Sequence, residues 1–113
     1  MITIEISKNK SGLYTGYRAK GHAKDAPAGE SVVCAWVSAV TQMTLIGLES
    51  ELKFPVAYTA DPESGLLAVQ LQKEPDAKSQ LLIGSMVRTL RQLAAECPKD
   101  VRVREHGGES TNV

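Results

Sequence analysis

The chain has 113 residues, of which 42% are hydrophobic and 23% charged, and its thirteen basic and thirteen acidic residues cancel. This length and composition suit one soluble globular domain with a single core. The balanced charge argues against direct nucleic-acid binding and against attraction to an anionic membrane. The N-terminus has no basic region followed by an apolar run, so no secretory signal is expected. Two cysteines without a dense pattern indicate a reducing, cytoplasmic compartment.

The first elements form a predicted hairpin. Isoleucine alternates with polar residues over 2–7, which indicates a half-buried strand. Turn residues at 8–12 lead into a second predicted strand over 13–20. Gly21 ends that strand, and a loop rich in Gly, Pro and Ala follows. Gly21 and Gly29 are expected to act as the hinges of this loop, because glycine accepts backbone angles closed to other residues.

An apolar helix is predicted after the loop. No charged residue occurs from Ser31 to Leu48, which approaches the length of a membrane span. Polar residues interrupt this stretch, so a central helix buried on most sides is predicted instead. Ser31 is the expected N-cap, and Gly47 together with the charged sequence Glu49-Ser50-Glu51 is expected to mark the end. The predicted core stripe consists of Val33, Val37, Val40 and Thr44, thickened by Trp36, Ala39 and Met43.

A second hairpin and a second helix follow. Apolar runs at 54–60 and 66–73 flank the sequence Asp-Pro-Glu-Ser-Gly at 61–65, in which Pro and Gly favour a turn. Residues 77–96 carry an apolar stripe at helical spacing, and Cys97-Pro98 ends the helix. Its Arg88 and Arg91 are expected on a solvated face.

The C-terminal part completes the fold prediction. Valines at 101 and 103 alternate with arginines, which predicts a last short strand. The order β-β-α-β-β-α-β predicts an α+β fold, a sheet with two main helices packed on it. Residues 1–106 are expected to form the single domain, and 107–113 a disordered tail. His106 is placed near that tail without nearby ligands, so no metal site and no cofactor are expected.

Cys34 and His22 are candidates for nucleophilic chemistry. If Ser31 caps the helix, Cys34 occupies its third position, near unpaired amides and the positive end of the helix dipole. Both features favour the thiolate, which is the nucleophilic form of cysteine. His22 precedes the loop, and the loop is long enough to fold back. Its imidazole could take the thiol proton and later protonate a leaving amine, while amides at the helix start stabilise an oxyanion.

The residues also fit a purely structural interpretation. A cysteine in an apolar helix is usually a core residue, and a histidine after a strand is usually a polar loop residue. Spacing alone leaves both interpretations open. Cys97 is expected to be an unreactive residue that packs on the core. Trp36 is expected to be a core or dimer contact.

The segment containing these residues resembles a known family. Gly-His-Ala at 21–23, Gly29 and the sequence VVCAWVSA at 32–39 resemble the ribosomal-processing cysteine proteases (Prp). That family's pattern is Gly-His-Ala, five variable positions, Gly, one variable position, Asp, an aliphatic pair, Cys-Ala, one variable position and Val-Ser. The spacing fits without gaps, and the order of elements is similar over essentially the whole chain.

The resemblance implies a cysteine endopeptidase with Cys34 as nucleophile and His22 as general base. Its implied substrate is large-subunit ribosomal protein number twenty-seven, from which a short N-terminal extension is removed. An apolar groove beside Cys34 is expected, because the cleaved motif is apolar and aromatic just before a small residue. The resemblance also implies a homodimer. A non-enzymatic ribosome-assembly or protein-interaction module is the alternative.

The chain departs from the family pattern at one position. Ser31 stands where the family has Asp, and both residues can cap a helix. A serine cannot supply the negative charge that orients an imidazolium as the third member of a triad. Either the site works as a dyad, or Asp25 or Glu30 supplies the charge. Ser38, one helical turn beyond Cys34, either donates to the site or bonds back to its own helix.

Overall fold

A computed structural model describes residues 1–23 and 31–107 of the chain. The elements follow the predicted order: β1 Ile2–Lys8, β2 Tyr14–Lys20, α1 Val32–Ile46, a short π-helix Gly47–Glu51, β3 Val56–Asp61, β4 Leu66–Leu71, α2 Ala77–Glu96 and β5 Val101–Gly107. The α+β prediction is confirmed. Strand β5 includes Gly107, one residue beyond the predicted domain boundary. The tail prediction for 108–113 lies outside the described residues.

The five strands form one sheet in the order β3-β4-β2-β1-β5. Three of its pairings are antiparallel, and β5 runs parallel to β1. Alternate strand residues are buried on one face, where both helices pack. The core between sheet and helices contains Ile2, Ile4, Ile6, Tyr17, Val69 and Val101 from the strands, and Ile83, Val87, Leu90 and Leu93 from α2.

Polar contacts fix both helices to strand β2. The buried Tyr17 hydroxyl donates to the carbonyl oxygen of Thr41 in α1, at 2.8 Å. Burial raises the pKa of Tyr17, so this donor stays protonated over the whole ordinary pH range. The Gln80 side chain of α2 exchanges two hydrogen bonds, of 2.7 and 2.8 Å, with the backbone of Tyr14. Both helices therefore have a defined position along the sheet.

Helix α1 is less buried than predicted. Val33, Val37, Thr41 and Thr44 are buried, but Ala39 is exposed, and Trp36 and Met43 are 40% and 64% exposed. The helical run Val32–Glu51 is long and apolar enough to cross a membrane, and only 28% of its apolar 18-residue window is buried. The prediction of burial on most sides is wrong, because α1 contacts the rest of the described fold along one side only.

Gly47 is the C-cap of α1, as predicted, and a short π-helix follows it. It has right-handed helical angles, and the chain continues as a π-helix to Glu51, with the Leu52 amide donating to the Gly47 oxygen at 2.9 Å. A Cβ at Gly47 would lie 2.9 Å from a methyl carbon of Leu82 in α2. The glycine therefore permits close packing of the two helical segments, and the helical run ends at Glu51, within the charged residues predicted to close it.

Strand β5 takes part in charged contacts with its neighbours. Glu105 accepts hydrogen bonds from Lys8, at 2.8 Å, and from Arg91. Arg91 therefore has a charged partner, whereas Arg88 lies exposed as predicted. His106 lies within the strand, 3.3 Å from a carboxylate oxygen of Glu5, so its predicted position without nearby ligands is corrected.

Candidate active site

The start of helix α1 positions Cys34. Ser31 has extended backbone angles, and its hydroxyl oxygen accepts a hydrogen bond from the Cys34 amide at 2.9 Å. The Ser31 carbonyl accepts from Ala35 at 3.1 Å and so begins the helical ladder. This confirms Ser31 as the N-cap and Cys34 as the third helical residue. The sulfur consequently lies in the first turn, at the positive end of the helix dipole.

A backbone amide from the end of the first hairpin points at the sulfur. The Ala23 N–H donates to the Cys34 Sγ at 3.2 Å. Ala23 is buried, and Cys34 is half-buried beside the core. A donor at this distance stabilises negative charge on sulfur. The contact also brings the Gly-His-Ala segment to the beginning of α1, as a Cys/His site requires.

His22 lies exposed between Gly21 and Ala23, and its ring is held by a turn. The ring Nε2 lies 2.9 Å from the carbonyl oxygen of Glu63, in the turn between β3 and β4. Within the part of the chain that the structure describes, no hydrogen bond joins the imidazole to the Cys34 sulfur. Catalytic hydrogen bonds often form only when substrate is bound, and both side chains line the same cleft.

That cleft has a volume of about 500 Å³ and is mainly apolar. One wall is a continuous face of α1 from Cys34 to Ile46, and the other comes from β3, β4 and their turn, including Tyr58, Pro62 and Leu67. The twelve rises between these thirteen helical residues span about 18 Å, the length of about five residues of an extended peptide. The apolar groove expected beside Cys34 is therefore present, with the cysteine at one end of its α1 wall.

Comparison with known proteins identifies the family. Residues 1–102 match the model of the family described as cysteine protease Prp. The chain belongs to the Prp family. The ribosomal processing cysteine protease Prp of Staphylococcus aureus is 29% identical over 106 residues, which cover 91% of this chain and 97% of that protein. Family membership makes the chain a cysteine protease, so the non-enzymatic alternative is set aside.

Solved structures of similar proteins share the fold. The crystal structure of S. aureus Prp with a covalently linked product peptide has a TM-score of 0.88 at 24% identity, covering 94% of this chain and all of that one. The Streptococcus mutans protein SMU.848 has a TM-score of 0.82 at 25% identity, covering 95% of each chain. The Prp fold therefore extends over almost the whole chain.

The other predicted site residues divide into three groups. Gly21 has a φ of +108°, and a Cβ there would collide with the Met1 carbonyl oxygen, so this Prp chain needs glycine beside His22. Ser38 is exposed and lines the cleft one turn after Cys34. Asp25, Gly29 and Glu30 lie outside the described residues.

Both cysteines of the described Prp fold are free. Among residues 1–23 and 31–107, no three His, Cys, Asp or Glu side chains are grouped as metal ligands would be. Sequence reasoning missed one site group, the carbonyl of Glu63. The turn at 61–65 was predicted, but a backbone carbonyl has no sequence signature, and only the path of the chain brings it to His22.

Proposed function

We propose that Cys34 is the nucleophile and His22 the general base of a peptide hydrolase. The observation that supports this most strongly is the Cys34 sulfur in the first turn of α1, contacted by the Ala23 amide and sharing a cleft with His22. In this proposal the imidazole takes the thiol proton, and Sγ attacks the scissile carbonyl carbon. The positive end of α1 stabilises the negative charge that develops on the carbonyl oxygen.

The remaining steps use the same two side chains. The imidazolium returns its proton to the leaving amine when the C–N bond breaks, which leaves a thioester on Cys34. Water, deprotonated by the imidazole, then attacks the thioester carbonyl and releases the carboxyl product and the thiol. Every proton passes through His22, so the site needs no cofactor for this chemistry.

The proposed substrate is large-subunit ribosomal protein number twenty-seven, cleaved after a short N-terminal extension. The S. aureus relative is named a ribosomal processing protease, which supports a ribosomal protein as substrate. The apolar cleft suits an extension that is apolar and aromatic before the scissile bond. The proposed location is the cytoplasm. The proposal includes no direct binding of nucleic acid.

A cleavage assay tests this function. A synthetic peptide carrying the extension of the host's own ribosomal protein is incubated with the wild-type chain, Cys34→Ala and Cys97→Ala, and products are identified by mass spectrometry. We expect Cys34→Ala to lower kcat/KM at least about a thousandfold, and Cys97→Ala to stay within about twofold of the wild type. Equal cleavage by wild type and Cys34→Ala would contradict the proposal.

We also propose a homodimer through the exposed side of α1. Val32, Trp36 and Met43 are 71%, 40% and 64% exposed, and their spacing places them in one stripe away from the cleft-lining face. An exposed apolar stripe of this kind suits a second copy of the chain. Light scattering after size exclusion should give the dimer mass for the wild type and the monomer mass for Trp36→Glu/Met43→Lys. A monomeric wild type would contradict this assembly.

A further inference from the structure

The turn between β3 and β4, formed by Asp61–Gly65 and here called the 61–65 turn, contacts His22 at several points. The Glu63 carbonyl lies 2.9 Å from the His22 Nε2. The Ser64 carbonyl accepts a hydrogen bond of 3.2 Å from the Gly21 amide, one residue before His22. A Cβ at Gly65 would lie 3.1 Å from the His22 Cε1 and would collide with the Gly21 oxygen. The turn therefore supports both the ring and the backbone that carries it.

The contact with Glu63 assigns the tautomer of the neutral ring. A carbonyl oxygen can only accept a hydrogen bond, so the proton must be on Nε2. The Nδ1 atom then has the free lone pair and is the basic nitrogen. In a Ser-His-Asp triad a carboxylate has the equivalent role, because it accepts a hydrogen bond from the ring nitrogen that is not the base. We propose that the Glu63 carbonyl orients His22 in this chain, where Ser31 replaces the family's acidic residue.

This inference rests on the proposed role of His22 as the base, and it adds a positioning residue, Asp61. The Asp61 Oδ1 accepts from the Glu63 amide at 3.2 Å, and Oδ2 accepts from the Ser64 hydroxyl at 3.1 Å. These two bonds hold Glu63 and Ser64 in the conformation that presents their carbonyls to the first hairpin. The Gly65 amide closes the turn on the Pro62 oxygen at 3.2 Å, with a φ of +69° that favours glycine.

Asp61 acts through the backbone. Its carboxylate bonds to Glu63 and Ser64 rather than to the ring. The Met1 N-terminal ammonium donates to the His22 carbonyl oxygen at 2.7 Å and so also holds this backbone segment. Loss of the Asp61 bonds should loosen the Glu63 carbonyl, so that His22 populates both tautomers and is basic at Nδ1 for only part of the time. This predicts a fall in kcat with little change in KM.

The first test is the tautomer of His22 by NMR. Ring carbon and nitrogen shifts are measured on histidine-labelled Cys34→Ala protein at high pH, and the only other histidine, His106, is assigned with His106→Gln. We expect the Nε2–H tautomer to predominate for His22. A predominant Nδ1–H tautomer would overturn the inference. This readout does not depend on activity, so it separates the positioning of His22 from its proposed catalytic role.

The second test compares turn variants by steady-state kinetics on the same peptide. We expect Asp61→Ala to lower kcat roughly tenfold, with KM within about twofold. Asp61→Asn should restore most of the rate, because its amide oxygen can still accept from Glu63. The matched control is Asn9→Ala, because the Asn9 Oδ1 accepts from the Ser11 and Leu13 amides, at 2.9 and 3.0 Å, in the turn between β1 and β2. This control should stay within about twofold of the wild type.

The outcomes separate the two proposals. Wild-type kcat for Asp61→Ala, an equal loss for Asn9→Ala, or no rescue by Asp61→Asn would each overturn the positioning role of Asp61 while leaving the cleavage chemistry intact. Full activity of His22→Ala would instead overturn the proposed function.

Discussion

The two cysteines have opposite positions relative to helix ends. Cys34 is in the first turn of α1, where the Ser31 hydroxyl accepts from the Cys34 amide and the Ala23 amide donates to the sulfur. Cys97 is the C-cap of α2, and its own amide donates to the Leu93 carbonyl at 2.8 Å. Both side chains are half-buried, so burial does not distinguish them. The two cysteines therefore differ in their position on the helix dipole and in the amide that contacts Cys34, and not in exposure.

The largest expected effect is a loss of activity when His22, but not His106, is replaced. His22→Ala should lower kcat/KM for peptide cleavage by about 10²–10⁴-fold, the usual contribution of a general base. His106 lies on β5, next to Glu5, and His106→Ala should leave the rate within about twofold of the wild type. Comparable losses in both variants, measured on the same peptide, would remove the reason for pairing Cys34 with His22.

The caps of the two helices can be removed one at a time. Ser31→Ala removes the cap of α1, and Asp76→Ala removes the α2 cap, whose carboxylate accepts from the Ser79 amide at 2.8 Å. Each change should lower the free energy of unfolding by about 1 kcal/mol. Only Ser31→Ala should slow the alkylation of Cys34, by several-fold. Equal slowing in Asp76→Ala would mean that general destabilisation, and not the α1 start, controls the reactivity of the sulfur.

Ser31→Asp extends the same test. Aspartate is as good a cap as serine, so the variant should keep the stability of the wild type. Urea denaturation measures that stability for all of the cap variants. A loss of about 1 kcal/mol in Ser31→Asp would show that residue 31 has a role in the fold beyond capping.

The smallest expected effect concerns the ion pairs of β5. Hydrogen bonds from Lys8 and Arg91 hold the pKa of Glu105 below its usual value. This stabilisation is therefore present above the unfolded-state pKa of Glu105 and is lost as pH falls through the lower folded-state pKa. Glu105→Gln should reduce the free energy of unfolding at pH 7 by at most about 1 kcal/mol.

Denaturation at several pH values checks the sign of this effect. The difference between wild type and Glu105→Gln should disappear at acidic pH, and the reactivity of Cys34 should be the same in both proteins. A difference that grows as the solution becomes more acidic would contradict the assignment of Glu105 as the ionised partner.

The sequence predicts those features that depend on local chemistry. The alternation over 2–7, the turn at 61–65 and the bounds 77–96 of α2 all agree with the structure. The cap by Ser31 was also predicted, because a serine before an apolar run has a specific partner in the first turn. These features depend on neighbours along the chain, which the sequence displays directly.

Features that depend on long-range packing were predicted less well. Helix α1 is apolar on most sides, so its pattern could not show that Trp36 and Met43 face outward. Gly47 is predicted as a helix end and caps α1, but its close approach to Leu82 in the other helix is not predicted. The Glu63 carbonyl reaches His22 only because Gly21 pairs with the 61–65 turn. None of these contacts has a local sequence signal.

Selective alkylation tests the central claim, that the start of α1 makes Cys34 the reactive thiol. The native protein is treated with a limiting amount of iodoacetamide at pH 7, and labelling of each cysteine is followed by peptide mass spectrometry. We expect Cys34 to react at least about tenfold faster than Cys97. Equal slow labelling of both residues, or faster labelling of Cys97, would contradict it.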